Sequence, residues 1–116
     1  MTRELIPGLM KALKMGAQTH SIADVVDMID KGDAQLHGCE DAVIITQVYD
    51  EPQAKVLHFW LATGELEPVI ELSHRVTAWG KEIGCTRATL AGRKGWEKVL
   101  AADGWRPLLT VMGRSI

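Results

Sequence analysis

His58 stands in the apolar run Leu57-His58-Phe59-Trp60, where an imidazole could pass a proton near neutral pH. Asp50 and the single tyrosine, Tyr49, lie just upstream and are the other groups suited to acid or base work. Packing explains a lone histidine among large apolar residues equally well, so no catalytic residue is assigned from these side chains alone. His20, His37, His58, His74, Cys39 and Cys85 are the available soft or imidazole ligands. They lack the short paired spacings of zinc sites, His37-Gly38-Cys39 being the one close pair, and no metal is expected. No serine sits in a nucleophile elbow, and no Walker-type loop is present.

Arg93 and Lys94, between Gly92 and Gly95, precede an expected helix and could accept an anion at its start. A plain strand-to-helix connection accounts for the same residues. Trp96 and Trp105 stand at opposite ends of that helix. With Arg93 and Lys94 they are the candidates for a contact surface, because tryptophan anchors interfaces out of proportion to its frequency. Trp60 and Trp79 fall on positions expected in the core.

The elements that must position these groups follow from periodicity. Residues 1–16 form a helical segment with Thr2 as N-cap, an apolar stripe of Ile6, Leu9, Met10 and Leu13, and Gly16 as its stop. Ser21 to Asp24 resembles a capping box and opens a helix with Val25, Val26 and Ile29, stopped by Gly32. Residues 34–37 and 42–50 read as a hairpin around Gly38-Cys39-Glu40-Asp41. The second of these strands is apolar on both faces, which places it centrally. The chain returns antiparallel over 55–62 and turns at Thr63-Gly64-Glu65. From Glu67 to Gly84, Val69, Leu72, Val76, Trp79 and Ile83 share one helix face. Residues 86–91 form a strand parallel to 56–62, 96–103 a last helix ended by Gly104, and Trp105 opens a further strand.

At 116 residues, 47% hydrophobic and 24% charged, the chain fits one domain. It divides into a helical segment, 1–33, and a sheet with two helices, 34–116. A net charge of −2 and a pI near 6.1 exclude a general attraction to nucleic acid or anionic membrane. No apolar run is long enough to span a bilayer, and Glu4 and Pro7 interrupt any signal-peptide pattern. Two cysteines far apart in sequence fit a reduced, intracellular protein.

The order of elements from Ala34 to Leu109 resembles the GNAT fold of N-acetyltransferases. The likeness is sharpest in "WGKEIGCTRATL" and "GWEKVLAADGWRP", which look like the end of the long central helix, the next strand and the following helix of those enzymes. With "VLHFWLATGELE", these pieces are also similar to small GNAT-like proteins encoded among bacteriophage and prophage genes. The resemblance implies an α/β (α+β) fold: a mixed, mostly antiparallel sheet with helices on both faces, plus two N-terminal helices.

A GNAT enzyme holds the acetyl-CoA diphosphate on a basic, glycine-rich loop at the start of the long helix. The corresponding residues here are Leu61, Ala62, Thr63 and Gly64, followed by Glu65, Glu67 and Pro68. A carboxylate about 4 Å from a phosphate costs roughly 4 kcal/mol at an effective dielectric of ~20. The family's usual general acid, a tyrosine four residues before the glycine of a Gly-aromatic pair, falls on Leu100. The resemblance therefore implies a non-catalytic, phage- or prophage-encoded protein without a cofactor. It would act through protein contacts or self-association as a virion-associated component, internal or head-tail, located in the virion or the bacterial host cytoplasm. The alternatives are an acetyl-CoA-dependent N-acetyltransferase with a degenerate loop and a host-directed phage regulator.

Overall fold

The computed structural model describes residues 5–15, 19–92 and 95–116. Eight elements follow in order: α1 (Leu5–Met15), α2 (Ile22–Lys31), β1 (Gln35–Gly38), β2 (Ala42–Glu51), β3 (Ala54–Gly64), α3 (Leu66–Glu82), β4 (Arg87–Leu90) and α4 (Trp96–Ala101). Thr2, Gly16, Arg93 and Lys94 lie outside the described residues, as does the side chain of Ile6.

The sheet order is β1-β2-β3-β4. The first three strands are antiparallel, and β3 pairs in parallel with β4 across α3. The central placement of β2 matches its two apolar faces. Val43, Ile45 and Leu61 meet Leu9, Leu13, Val25 and Ala34 in one buried cluster under α1 and α2. Ala42, Ile44, Leu57 and Phe59 meet Val69, Leu72 and Val76 of α3 in a second. Each large side chain of this kind contributes about 1.5–3 kcal/mol by leaving water. The sheet with helices on both faces is therefore the expected α+β architecture.

Local signals behave as their chemistry requires. The Ser21 hydroxyl accepts from the Asp24 N–H, and the Asp24 carboxylate accepts from the Ser21 N–H, a complete capping box. Gly32, at φ 83°, closes α2 in the left-handed conformation, and Gly84, at φ 96°, follows α3 in the same way. The Lys55 ammonium donates to the Ile83 carbonyl at 2.9 Å, placing a cation at the carbonyl end of α3. Three apolar stripes are narrower than expected, for Met10, Val26 and Ile83 are exposed while Leu9, Leu13, Val25 and Val76 are buried.

The strand expected to open at Trp105 does not form, and residues 105–116 carry no regular structure. The Trp105 N–H bonds the Leu100 carbonyl, which completes the end of α4 instead of starting a ladder. Pro107, two residues on, has no N–H to offer a neighbouring strand. No helix among the described residues is long and apolar enough to cross a membrane.

Candidate functional site

One irregularity in the sheet creates the site. Ile45 pairs with Leu61 and Thr46 with Phe59, so Trp60 is an extra residue without a partner in β2. Such a bulge bends and twists the bulged strand. On the other side of β3, the ladder to β4 stops at Phe59–Leu90. The two parallel strands therefore part at Trp60, and a cleft of about 590 Å³ opens between them. Because the gap lies in the sheet itself, it reaches α1 at Ala12 and Leu13 and α3 at Val69, Ile70 and Ser73. Trp96, Leu100 and Trp105 close its far side.

His58 lines this cleft just before the bulge. Its Nδ1 lies 2.8 Å from the Thr89 Oγ1 on β4, and its ring centroid is 6.0 Å from that of Tyr49. Desolvation lowers its pKa below the usual histidine value, so the ring is neutral at neutral pH. The Thr89 bond fixes the ring and leaves Nε2 without a protein partner among the described residues. Asp50, the other candidate base, is exposed at the far end of β2. The Tyr49 hydroxyl donates to Gln47 Oε1 at 2.7 Å, and Gln47 in turn lines the cleft.

The four cofactor-loop candidates divide. Leu61 and Ala62 line the cleft. Thr63 packs under α1, where Gly8 comes so close that an added Cβ would overlap the Thr63 hydroxyl. Gly64 takes φ 128° with its Cα against the Asp41 carbonyl and Ala42. Glu65 and Glu67 are exposed at the start of α3, and neither has an ion-pair partner among the described residues. The apolar cleft suits an acyl group and a slender arm, but the start of α3 does not fit a diphosphate: two exposed carboxylates stand there, and Pro68 removes a donor N–H.

The contact-surface candidates also move. Trp96 and Trp105 are half-buried and face into the cleft, with Trp105 edge-on to Phe59 at 5.6 Å. Exposed apolar side chains lie instead on the last residues, at Leu108, Leu109, Val111, Met112 and Ile116. The cleft is open, and no carboxylate lines it among the described residues. Sequence reasoning misses Thr89, Ser73 and Gly8. Only the β4 alternation, which sets Thr89 opposite His58, carries a usable signal.

His37 belongs to a separate, half-buried network around the buried Thr46. The Thr46 hydroxyl donates to Gln35 Oε1 at 2.9 Å and therefore accepts from His37 Nε2–H, also at 2.9 Å. The His37 ring stacks edge-on against Trp79, and burial lowers its pKa. No cluster of three or more metal-ligating side chains occurs among the described residues. Cys39 and Cys85 are free thiols, half-buried beside α3.

No family model and no curated protein sequence matches the chain. Solved structures do. A Trypanosoma brucei acetyltransferase superposes with a TM-score of 0.71 at 10% identity, over 100% of this chain and 96% of that one. An aminoglycoside acetyltransferase from an uncultured soil metagenomic sample, solved with sisomicin, gives 0.69 at 8% identity over 97% and 87%. A wild-type protein from Thermus thermophilus gives 0.62 at 18% identity over 100% and 93%. At such identities the likeness establishes the fold, which is GNAT-like.

Proposed function

We propose that this chain is a GNAT-fold protein that works through protein contacts without transferring acetyl groups, as a virion-associated component, internal or head-tail, encoded by a phage or prophage. The observation that carries the non-catalytic part is Leu100. It is buried in the cleft wall, at the position matched to the family's proton donor, and it has no proton to give. The exposed carboxylates of Glu65 and Glu67 support the same reading, since they oppose a diphosphate at the start of α3. The phage placement rests on the sequence resemblance carried by "VLHFWLATGELE", "AWGKEIGC" and "GRKGWEKVLAADGW".

Calorimetric titration with acetyl-CoA tests the first part. The expected result is no binding by the native chain, with some recovered in Glu65→Gln/Glu67→Gln. Mass spectrometry of particles purified from a producing culture tests the second, and absence of the chain from those particles would overturn it. One observation favours a second reading, an acetyl-CoA-dependent N-acetyltransferase with a degenerate loop at Leu61 to Gly64. It is the open cleft with neutral His58 on its wall. Micromolar binding together with acetylation of an amine would establish that reading and overturn the first.

A further inference from the structure

β1 is an open edge of the sheet. It pairs only with β2, and the Cys39 N–H donates to the Ala42 carbonyl at 2.9 Å, which fixes the alternation along the strand. His37 and Gln35, opposite Ile44 and Thr46, therefore turn their backbone groups toward β2, and Leu36 and Gly38 turn theirs outward. No backbone bond among the described residues reaches those outward groups. Edge strands are ordinarily blunted by charge, proline or a bulge. Residues 34–39 carry none of these.

The edge is complementary to itself. Leu36 and Gly38 stand either side of His37, so β1 laid antiparallel on a second β1 pairs leucine with glycine twice, about a two-fold axis at His37. Leu36 is 42% exposed, and the space over Gly38 is empty apart from the Ala42 carbonyl at 4.0 Å. The bare glycine of one copy thus receives the leucine of the other. The His37 ring does not obstruct this, because Thr46 and Trp79 hold it inward. α3 matches the same axis. Arg75, Trp79 and Glu82 share its flank above β1, where Trp79 meets His37 edge-on at 4.9 Å. Extending the sheet by a two-fold sets two α3 helices side by side and antiparallel on one face. Arg75 of each copy then comes opposite Glu82 of the other, and both side chains are exposed and without an ion pair among the described residues.

We infer that β1 pairs with β1 of a second copy, joining two four-stranded sheets into one continuous sheet with the α3 flanks facing across the two-fold. The strand edge and the α3 flank together bury on the order of 1,200 Å², the lower end of specific interfaces, so the dimer forms at about 10 μM. This deepens the protein-contact reading, on which it rests, by naming a second copy as one partner.

Sedimentation velocity of the full chain, with amide exchange at Leu36 and Gly38 followed by NMR, tests it. The native chain should form a dimer in which both amides are protected in step with dimer population. Gly38→Pro removes an N–H that the chain's own ladder does not use, so it should leave the far-ultraviolet spectrum unchanged and weaken association about 100-fold. Arg75→Glu should weaken association about 10-fold, and Glu82→Arg added to the same chain should restore it, a cycle that decides the matter should the proline variant fail to fold. A native monomer at about 500 μM (the edge then left to a strand of another protein), a dimer that survives Gly38→Pro, a charge reversal without rescue, or protection independent of concentration would each overturn the pairing. A monomer that neither binds acetyl-CoA nor acetylates amines would overturn the pairing and leave the protein-contact reading standing. A dimer with the expected protection that acetylates amines would support the pairing and sink that reading.

Discussion

His58 and Thr89 face each other on the next-to-last rung of the β3–β4 ladder, Nδ1 2.8 Å from Oγ1, one step before the strands part. The cross-strand bond holds the two sides of the cleft together at its base. It also keeps His58 half out of water, which favours the neutral ring.

That preference makes stability depend on pH. Burial lowers the pKa of both His58 and His37 below the ordinary histidine value of 6.5, so the unfolded chain takes up protons first on acidification. Stability rises with pH wherever the unfolded state binds more protons. The contribution is complete above 6.5 and is lost as pH falls from there through the lowered folded values. Urea midpoints measured from about pH 8 to about pH 5 should fall on the acid side. The slope should flatten in His37→Gln/His58→Gln, whereas a midpoint unmoved by pH in the native chain would contradict the argument.

Thr46 is fully buried and serves two partners at once, donating to Gln35 and accepting from His37. Thr46→Val keeps the shape and removes the hydroxyl, leaving both partners unsatisfied under α3. The expected loss is about 2 kcal/mol, within the 1–3 kcal/mol range for orphaned buried groups. Thr46→Ser should lose less, since the bonds survive and only a methyl group goes. Equal stability of the valine variant and the native chain in urea would refute the network's role.

How far the sequence predicts this fold depends on whether a feature is local. The capping box at Ser21 and Asp24, the glycines at 32, 84 and 104 and the face of Val69, Leu72 and Val76 are set by residues within a few turns of one another, and each is where its pattern places it. The bulge at Trp60 depends on the register between β2 and β3, which alternation alone does not reveal when residues on both sides of the slip are apolar. The close approach of Gly8 to Thr63 joins residues far apart in the chain and has no local signature. Trp105 reads as the start of a strand because it is a β-prone residue just after the helix-ending Gly104. Its ring and its N–H both find partners in the body instead.

Gly64 is where β3 hands over to α3, at φ 128°. A Cβ there would run into the Asp41 carbonyl and lie 2.8 Å from the Ala42 Cα, and backbone cannot move aside as a side chain can. Gly64→Ala combines this overlap with left-handed strain of about 1–3 kcal/mol. The melting temperature should fall by roughly 10 °C. Gly38→Ala, in a strand with open space about the new methyl, should change it little. Similar melting temperatures for the two variants would show that the tight handover is not needed.

Trp105 links the cleft to the exposed tail. Its ring meets Phe59 edge-on at 5.6 Å, and its N–H holds the end of α4 through Leu100, so one residue fixes both the far wall of the cleft and the exit of the last segment. An edge-on aromatic pair adds about 0.5–1.5 kcal/mol beyond area burial. Full Trp→Ala truncations in cores cost about 3–5 kcal/mol. For this half-buried ring, Trp105→Ala should lose about 2–3 kcal/mol in urea, and Trp105→Phe, which keeps an edge toward Phe59, about half that. The alanine variant should also let Trp96 and Leu100 move, seen as faster exchange of the Leu100 amide and of the amide at position 105 while those of β2 remain slow. Uniform acceleration across β2 and α4 would mean that Trp105 supports the whole core and not the cleft wall alone.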